Sequence, residues 1–562
     1  MRLASRLAAT GATSVARAVR APYYVVQAMG LRAPERLHIA PQDIRTADPT
    51  VADEIYAGYF SFDGKIVETR GRSPFAIDPP SAAWRRSLAG FSWLRHLRAA
   101  DKALARANAR ALAEDFLAVR RSPDDPAFEP AVVARRTLSW LAQSPILLED
   151  ADQDFYERFM AQLGGNARLL MRALAAPRPS TDRLISAVAL AAFGVCTDAS
   201  RKLESRATDL LDAELSWQIL ADGGHIGRNP ETPVELLLDL LPLRQAYAAR
   251  GRRPPARLLA AIRAMISFLR MMQHGDGSLA LFNGMGRAQP DRLATILAHD
   301  DSSGPPPLDA AQSGYRRLAA GDALVIVDAG RPPPPVFSCA AHAGCLSFEY
   351  SIGAERIVVN CGAPPASAES SRRLARVTAA HSTLVVDDRS SCRIVARGRA
   401  SEERILSGPR NVRATRRATG SSRVLELSHD GYAQELGLLH ERSLSLTHDG
   451  AQLFGEDKLV AARAGAAARD FVLRFHLHPK ALVAPLAEGR GALVSCGGAH
   501  VAFETDGPVT IEESVFFAGA GGPRKCAQLV VHAQGREDSR LRWSFTRVDE
   551  RGEELVFARA DI

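Results

Sequence analysis

The sequence predicts a two-part fold, in which a helical half is followed by a half built from antiparallel β-strands. Three observations predict it. The chain has 562 residues, which is too many for one compact hydrophobic core. From about Trp84 to His274, apolar residues recur at three- and four-residue spacing, as they do on one face of a helix. After His274, apolar residues fall into short alternating runs bounded by Gly, Asp and Asn, which indicate strands.

The helical half contains a series of segments with helical periodicity, separated by loops rich in Pro, Gly and Asp such as SPDDP and RGRRPP. The segments are DKALARANARALAEDFLAV, PAVVARRTLSWLAQSPILL, DQDFYERFMAQLGGNARLLMRALAA, RLISAVALAAFGVC, ATDLLDAELSWQIL, PVELLLDLLPLRQAYAA and PPARLLAAIRAMISFLRMMQ. Consecutive antiparallel helices in this number can form a bundle, a solenoid or a closed α/α toroid.

The second half contains short runs in which apolar and polar residues alternate, as they do in a strand with one buried face. Examples are DALVIVDAG, CLSFEYS, ERIVVNCG, STLVVDD, SRVLELSHDGY, DFVLRFHLHP and VTIEESVFF. Many short strands joined by tight turns indicate a large antiparallel β-sandwich.

The composition is that of an ordinary globular protein, with 46% hydrophobic and 24% charged residues. The formal charge of +8 arises from 71 basic and 63 acidic residues spread along the chain. This balance suits an acidic ligand, but it is also typical of a solvated surface. No basic run is interleaved with aromatic residues, so we expect no nucleic-acid partner. The seven cysteines form no CxxC pair, which predicts free thiols.

The N-terminal segment over residues 1–50 is basic, with no acidic residue before Glu35. Four arginines interrupt its apolar residues, at Arg2, Arg6, Arg17 and Arg20, so it lacks the uninterrupted apolar region of a secretory signal. A basic amphipathic helix on a membrane surface would fit this pattern. No apolar stretch is long enough to predict a transmembrane helix.

The first candidate site is the loop in ADGGHIGRNPETPVELLLDLLPLR, which places His225, Arg228 and Asn229 close together. An imidazole, a planar guanidinium and an amide could bind a carboxylate or sugar hydroxyl groups. A connection between helices, in which Asp and Asn cap the ends and Gly turns the chain, is the structural alternative.

The second candidate site consists of His342, Asn360 and His381. His342 is expected to begin one strand, Asn360 to end the next and His381 to begin a third. If these ends meet at one rim of a sheet, the three side chains could bind a divalent metal. Histidines at strand ends also serve as hydrogen-bonded structural residues.

The third candidate lies in SHDGYAQELGLLHERSLSLTHDG. His429 and Tyr432 could transfer protons, because both side chains act as general acids and bases. His440 and Arg442 would share one strand face, where a salt-bridged sheet surface is the alternative. The sequence lacks the motifs GxSxG, GxxxxGK[ST], GxGxxG and HExxH, which disfavours α/β-hydrolases, nucleoside triphosphatases, dinucleotide enzymes and zincins.

Over most of its length the chain resembles the heparinase II/III family of polysaccharide lyases. The segments that carry the resemblance are DGGHIGRNP, HAGCLSFEYSIGAERIVVNCG, AAHSTLVVDD, HDGY, HERSLSLTHDGAQLFGED and FHLHP, in this order. The resemblance implies an N-terminal α/α toroid over residues 51–290, an antiparallel β-sandwich over residues 310–562 and a substrate cleft between them. It also implies β-elimination on uronic-acid polysaccharides, a reaction that requires a neutralised carboxylate, a base and an acid.

The family's residues can be placed on this sequence one by one. The resemblance implies a metal, often zinc, whose two histidines correspond to His342 and His381 and whose aspartate corresponds to Asn360. The family's catalytic histidine falls on Ala340, its Asn-His pair near Thr181 to Arg183, and its tyrosine near Thr232. We therefore expect replacement chemistry from His225, Arg228 and Tyr432, with Asn229 and His429 binding the substrate.

The leading functional prediction is a carbon–oxygen lyase that cleaves an acidic polysaccharide of the cell envelope or capsule. The first alternative is a non-catalytic protein that binds glycans or assists envelope-polysaccharide assembly. A hydrolase with a carboxylate pair is the third possibility. The sequence offers no distinctive pair, although acid-rich turns such as GEDKL keep this alternative open. The resemblance implies the cell envelope or periplasm, whereas the N-terminus and the free cysteines favour the cytoplasm. The sequence leaves open the particular polysaccharide and the oligomeric state.

Overall fold

A computed structural model describes residues 32–176, 179–287, 289–365, 367–396, 403–486, 489–535, 540–549 and 553. Within it the chain forms two compact units. The first comprises the described residues up to Ile219 together with Glu235–Ile262, and the second comprises Leu220–Val234 and the described residues from Arg263 onward. The basic segment proposed to contact a membrane lies largely outside these residues, since the description begins at residue 32.

The first unit is helical apart from one short hairpin. Its helices are α1 (Pro49–Tyr56), α2 (Ala82–Gly90), α3 (Leu94–Ala100), α4 (Ala103–Ala118), α5 (Pro130–Ala142), α6 (Ser144–Leu148), α7 (Gln153–Ala175), α8 (Asp182–Cys196) and α9 (Arg201–Gln218). Two further helices, α10 (Glu231–Ala249) and α11 (Ala256–Met272), cross the boundaries between the units. The hairpin pairs β1 (Tyr59–Phe62) with β2 (Lys65–Glu68).

Side-chain caps set the beginnings of several helices. The Ser81 hydroxyl accepts a hydrogen bond from the Trp84 amide at the start of α2, and the Asp152 carboxylate does the same for Phe155 at the start of α7. Each cap satisfies a backbone donor that has no partner within the helix. Helix α8 is buried on nearly every side, which explains why its sequence is apolar all round.

A buried ion-pair cluster stabilises the first unit. The Asp239 carboxylate of α10 accepts hydrogen bonds from Arg45 at 2.9 Å and from Arg135 at 2.8 Å. Although burial would raise the pKa of Asp239, the two guanidinium groups lower it to about 2. Arg45 also donates to the Leu238 carbonyl, at 3.4 Å. Pro242 lies four residues later and has no N–H for that carbonyl, so the arginine satisfies the acceptor that the proline leaves open.

The second unit consists mainly of strands. They are β3 (Asp309–Ala310), β4 (Tyr315–Ala320), β5 (Ala323–Asp328), β6 (Phe348–Ile352), β7 (Glu355–Val359), β8 (Leu384–Val386), β9 (Arg393–Ala396), β10 (Glu403–Ser407), β11 (Val412–Ala418), β12 (Ser422–His429), β13 (Leu438–Thr447), β14 (Gln452–Ala461), β15 (Phe471–Leu477), β16 (Leu482–Pro485), β17 (Gly491–Cys496), β18 (Ala499–Thr505), β19 (Val509–Phe516), β20 (Arg524–Ala533) and β21 (Arg540–Arg547). The helices α12 (Pro290–Leu297), α13 (Glu369–Ala375) and α14 (Ala433–Leu436) lie between them in the chain.

Two antiparallel sheets pack face to face to form a sandwich. One has the strand order β11-β12-β13-β14-β21-β18-β17-β16, and the other has the order β19-β20-β15-β7-β6-β5-β4-β3, with β8 paired to β15. The rings of Phe348 on the second sheet and Trp543 on the first are stacked, with centroids 5.4 Å apart. Strand β13 shows why the sequence forms such a layer, because every second residue of LLHERSLSLT is buried.

The structure confirms a helical N-terminal part and an antiparallel β part, but the units divide the chain differently from the predicted domains. Residues 220–234 and 263–290, which the sequence analysis assigned to the helical domain, belong to the second unit. Polar contacts explain this assignment, since His274 lies 3.0 Å from Glu349 of β6. All seven cysteines are free thiols, as predicted. Among the residues described, no helix is long and apolar enough to cross a membrane.

Candidate functional site

The loop before α10 is fastened to the second unit by its backbone and by Asp222. The Asp222 carboxylate accepts hydrogen bonds from the amides of Gln312, at 2.7 Å, and Ser313, at 2.8 Å. Gly223 has a φ of +84°, and a Cβ atom there would lie 1.9 Å from the Ala264 carbonyl oxygen. Only glycine fits this close approach in the left-handed region. The loop is therefore a built structural element of the second unit.

The protein itself occupies the guanidinium group of Arg228, for which the sequence analysis predicts a catalytic role. It forms a buried ion pair with Asp328 at the end of β5. It also donates to the carbonyl oxygens of Ser313, at 2.7 Å, and Arg331, at 3.0 Å. Arg228 is only 6% exposed and adopts a φ of +64°, which these bonds hold in place. A substrate carboxylate would have to compete with Asp328 for the same donors.

His225 and Asn229 lie on the same loop and also bond to its backbone. Nδ1 of His225 accepts a hydrogen bond from the Gly227 amide at 3.0 Å. Burial lowers the pKa of His225 to about 4, so the imidazole is neutral at pH 7. The Asn229 side-chain oxygen accepts from the Glu231 amide at 2.9 Å and caps the beginning of α10. The observed bond of Asn229 is therefore a helix cap, the role given above as the structural alternative to ligand binding.

His342 and His381 lie next to each other, as the second candidate site requires. Nδ1 of His342 is 3.1 Å from Nε2 of His381, and both rings are buried. His342 lies in the loop ahead of β6, and His381 lies three residues before β8, so neither histidine begins a strand as predicted. Nδ1 of His381 is 2.9 Å from the Val377 carbonyl oxygen, which can only accept. Nδ1 of His381 therefore carries a proton, and its Nε2 accepts from His342.

Asn360 directly follows β7 and is linked to the histidines through Ser382, the residue after His381. Its side-chain oxygen accepts from the Ser382 amide at 3.0 Å, and its side-chain nitrogen donates to Glu349 at 3.3 Å. Asn360 is fully buried. We call His342, Asn360 and His381 the paired-histidine site. Of the three side chains, Asn360 is the one whose donor and acceptor are both bonded to groups outside the set.

Glu349 contacts the paired-histidine site through hydrogen bonds with Asn360. Its carboxylate accepts from Arg356 at 2.6 Å and from the Asn360 amide at 2.9 Å, and it lies 3.0 Å from Nε2 of His274. Burial would raise the pKa of Glu349, but the Arg356 charge and the other bonds lower it to about 2. His274 also contacts the Ser351 hydroxyl at 2.9 Å. The serine, imidazole and carboxylate resemble a catalytic triad, but all three are buried, so this arrangement is structural.

The third candidate forms a polar cluster inside the sandwich. Nε2 of His429 is 3.3 Å from Nδ1 of His440, and Nε2 of His440 is 2.7 Å from the Asp457 carboxylate. Arg442 donates to the same carboxylate at 2.7 Å, and Trp543 donates to it at 2.9 Å. His440 and Arg442 share one strand face, as predicted, but that face is the core. His429 is 2% exposed and faces this cluster, which does not fit the substrate-binding role predicted for it.

Tyr432 is a packing residue rather than an acid or base. Its hydroxyl donates to the Leu384 carbonyl at 3.1 Å, and the side chain is 2% exposed. Burial raises the pKa of Tyr432 above its ordinary value, so the hydroxyl keeps its proton at neutral pH. The predicted catalytic role of Tyr432 has no geometric basis here.

The acid-rich segment GEDKL does not supply the carboxylate pair that a hydrolase would need. Glu456 and Asp457 are consecutive residues of β14 and therefore point to opposite faces of the sheet. Glu456 pairs with Arg542 at 2.8 Å outside the sandwich, whereas Asp457 lies inside it. Two carboxylates on opposite faces cannot act on the same glycosidic bond.

The positions of the family's acid–base residues offer no replacement. Ala340 has no group that can transfer a proton. Arg183 of α8 is buried and pairs with Glu214 at 2.9 Å. The Thr232 amide donates to the Asn229 carbonyl within the first turn of α10. None of these three side chains is positioned as a general acid or base.

The paired-histidine site does not fit a resident zinc ion. A zinc site usually has three or more charged or imidazole ligands. Among the described part of the chain, no group of three His, Cys, Asp or Glu side chains could hold a metal ion. The third position of the set is Asn360, a neutral amide already bonded to Ser382 and Glu349. Two imidazoles alone do not supply the ligands that zinc requires.

The sequence analysis did not identify the acidic residues that decide these roles. Asp328 pairs with Arg228, which is considered above for catalysis, and Asp457 pairs with Arg442, which is considered for a sheet surface. Glu349 pairs with Arg356. Asp328 ends the otherwise apolar strand β5, and that pattern is a signal for a buried charge. Glu349 and Asp457 lie in strands with other polar residues, which give no such signal. The partner of Arg228 lies 100 residues away in the chain, which local spacing could not reveal.

The comparisons with known proteins agree with this architecture. Residues 302–544 match the family model described as "Heparinase II/III-like, C-terminal". The fold is that of the polysaccharide lyases with a helical toroid and a β domain, and the chain belongs to the heparinase II/III family. Among curated proteins, the chain is similar to the FtsZ-localized protein C of Caulobacter vibrioides (strain NA1000 / CB15N). The two are 32% identical over 537 residues, covering 93% of this chain and 92% of that protein.

Solved structures of lyases share the fold at low sequence identity. The match to heparinase III has a TM-score of 0.72 at 12% identity and covers 94% of this chain and 89% of that one. Heparan sulfate lyase HepC from Pedobacter heparinus matches with a TM-score of 0.61 at 15% identity, covering 97% and 90%. Chondroitin AC lyase from Streptomyces coelicolor A3 has a TM-score of 0.51 at 10% identity, covering 83% and 76%. These matches confirm the predicted α/α toroid and β-sandwich fold class.

The first prediction concerns Arg228. Replacing it by alanine leaves Asp328 buried without its partner, so we expect Arg228→Ala to lower the free energy of unfolding by about 3–5 kcal/mol. Urea denaturation followed by circular dichroism measures the loss. Arg413→Ala is the matched control, because Arg413 is an exposed arginine and its loss should change stability by less than about 0.5 kcal/mol. A stable Arg228→Ala protein would contradict the structural role.

The second prediction concerns pH. Burial lowers the pKa of His225 to about 4 and that of His476 to about 3, and burial with the nearby His440 and Arg442 charges lowers that of His429 well below 6.5. The unfolded chain therefore binds more protons below pH 6.5, so stability is fully present above that pH and is lost as the pH falls. We expect the free energy of unfolding from urea titrations to decrease between about pH 6.5 and about pH 5, by up to about 1.4 kcal/mol per pH unit for each histidine. A constant free energy of unfolding would contradict the buried neutral imidazoles.

Proposed function

We propose that this protein is a non-catalytic binding protein built on a polysaccharide-lyase scaffold, and that its partner is the FtsZ assembly. The relative from Caulobacter vibrioides is named an FtsZ-localized protein, and the similarity extends over 93% of this chain. An identity of 32% over nearly the whole length supports a shared partner more strongly than a fold shared at 10–15% identity supports a shared reaction.

The observation that carries the proposal is that the nominated acid–base groups bond to the protein's own groups. Arg228 pairs with Asp328, Tyr432 donates to the Leu384 carbonyl, and His429 faces His440 inside the sandwich. β-Elimination needs a base that can reach the substrate C5 proton and an acid that can reach the leaving oxygen. These side chains reach only neighbouring protein atoms, and each is at most 6% exposed.

Cleavage of a uronic-acid polysaccharide is the second candidate, supported by the match of the β domain to the heparinase II/III family model. His225 would be the base, because its imidazole lies in DGGHIGRNP, the segment that carries the family resemblance in the helical half of the sequence. Binding of an acidic glycan without cleavage would require less of the site, since it needs donors but no proton transfer. The formal charge of +8 is compatible with an acidic polysaccharide, whether it is cleaved or only bound.

A pelleting assay tests the leading proposal. Purified full-length protein is centrifuged with FtsZ from the same organism, in GTP to form polymers and in GDP as the unpolymerised control. We expect the protein to enter the pellet with polymers, to saturate as its concentration rises, and to stay in the supernatant with GDP. Failure to pellet with polymers at any concentration would contradict the proposal.

An absorbance assay on the same preparation tests the second candidate. Unsaturated uronate ends absorb in the near ultraviolet, so a panel of uronic-acid polysaccharides reports any β-elimination directly. We expect no increase in absorbance from wild type or from His225→Ala. An increase with wild type that His225→Ala abolishes would establish a lyase and overturn the non-catalytic assignment.

The basic N-terminal segment is proposed to contact a membrane surface. The proposal depends on its sequence, in which Arg2, Arg6, Arg17 and Arg20 punctuate apolar residues without any acidic residue before Glu35. We expect the full chain to float with vesicles that contain anionic phosphatidylglycerol and not with purely zwitterionic ones. Replacing the four arginines by glutamine should abolish flotation, and flotation that survives this change would contradict the proposal.

A further inference from the structure

We propose that the paired-histidine site has lost the metal ion expected of this family and is held together by hydrogen bonds instead. In this arrangement the His342–His381 hydrogen bond occupies the place of the ion. Asn360 is a positioning residue that fixes the chain at Ser382. The inference does not depend on the proposed partner, since it concerns only bonds within the second unit.

One hydrogen bond joins the two imidazoles. The Val377 carbonyl fixes the proton of His381 on Nδ1, at 2.9 Å, and leaves a lone pair on Nε2. Nδ1 of His342 is 3.1 Å from that lone pair and donates its proton to it. A metal ion would require both nitrogens to give up this hydrogen bond and to direct lone pairs at one point. A third ligand would then have to offset the loss of the hydrogen bond between the two histidines.

Asn360 cannot serve as that third ligand without breaking structural bonds. Its oxygen accepts from the Ser382 amide at 3.0 Å, and its nitrogen donates to Glu349 at 3.3 Å. The nitrogen orients the amide, because only an N–H donor suits the Glu349 carboxylate at this position. An aspartate, as in the family, would place two carboxylates against each other, and a bound cation would then be needed to neutralise them.

The charges around the pair also oppose a cation. The ionised side chains that act on His342 are Arg372 and Arg376, both positive. Two carboxylates act on His381, those of Asp328 and Glu349. Asp328 is paired with Arg228, and Glu349 is paired with Arg356 at 2.6 Å. A divalent ion placed there would add two positive charges to a site that is already neutral or positive.

Asn360 takes over the organising role that a metal would have. It holds the Ser382 amide, and the Ser382 hydroxyl donates to the Val359 carbonyl at 2.7 Å. The same hydroxyl accepts from the His476 amide at 2.9 Å. These bonds join the end of β7, the segment before β8 and strand β15. The three strands are thus connected at one point by an amide and a hydroxyl, with no ion required.

Zinc content tests the inference. Full-length protein without an affinity tag is incubated with excess zinc, desalted and analysed by inductively coupled plasma mass spectrometry, with thermal unfolding as a second readout. We expect wild type to retain no more zinc than a metal-free blank and its melting temperature to be unchanged by zinc. An equimolar amount of zinc in wild type that His381→Gln removes would overturn the proposal.

The variant Asn360→Asp restores the family's ligand set and serves as the positive control. We expect it to retain at least about tenfold more zinc than wild type and to be stabilised by zinc. The double variant Asn360→Asp, His381→Gln should return to the level of the blank, which places the ion at this site. If Asn360→Asp folds and retains no zinc, then Asn360 is not the residue that excludes the metal, and that part of the inference is wrong.

Discussion

The ion pair between Arg442 and Asp457 is the interaction on which the β-sandwich and its candidate site both depend. It lies in the core, where an unpaired charge would be costly, and it is bidentate, with bonds of 2.7 and 3.1 Å. Arg442 also donates to the carbonyl oxygens of Leu346, at 2.7 Å, and Ser382, at 3.1 Å. Because Ser382 follows His381, this ion pair fixes the backbone of the paired-histidine site from the opposite sheet.

Buried ion pairs with additional hydrogen bonds also account for other polar groups of the second unit. Arg228 with Asp328 and Arg356 with Glu349 are buried ion pairs. Arg228 also donates to backbone carbonyls, and Nη1 of Arg356 donates to the Ser278 hydroxyl. Each pair pays its desolvation cost through several charge-assisted hydrogen bonds. A lyase active site needs some of its charged groups to be left open to substrate. Here the charged groups of both pairs bond to the protein itself and hold its loops and strands together.

Sequence reasoning succeeded where the information is local. The alternation in LLHERSLSLT predicted a strand with His440 and Arg442 on one face, and apolar periodicity predicted helix α8. It did not show that this strand face is the core, because the partner carboxylate of Arg442 is in the next strand. The polar loop at His225 resembled a ligand site because the residues that bond to it lie far away in the sequence. Its contacts with Ser313 and Asp328 arise only when distant segments meet, and spacing along the chain carries no record of them.

The central claim is that the conspicuous histidines of this lyase scaffold are neutral structural groups. Nuclear magnetic resonance of protein labelled with ¹⁵N-histidine tests it directly, with His→Gln variants to assign His225, His429 and His440. The account predicts that these imidazole nitrogens keep one neutral tautomer each, with unchanged shifts from about pH 7.5 to about pH 5.5. An imidazole among them that titrates near its ordinary pKa, about 6.5, would be accessible to solvent and available for acid–base chemistry, and it would contradict the account.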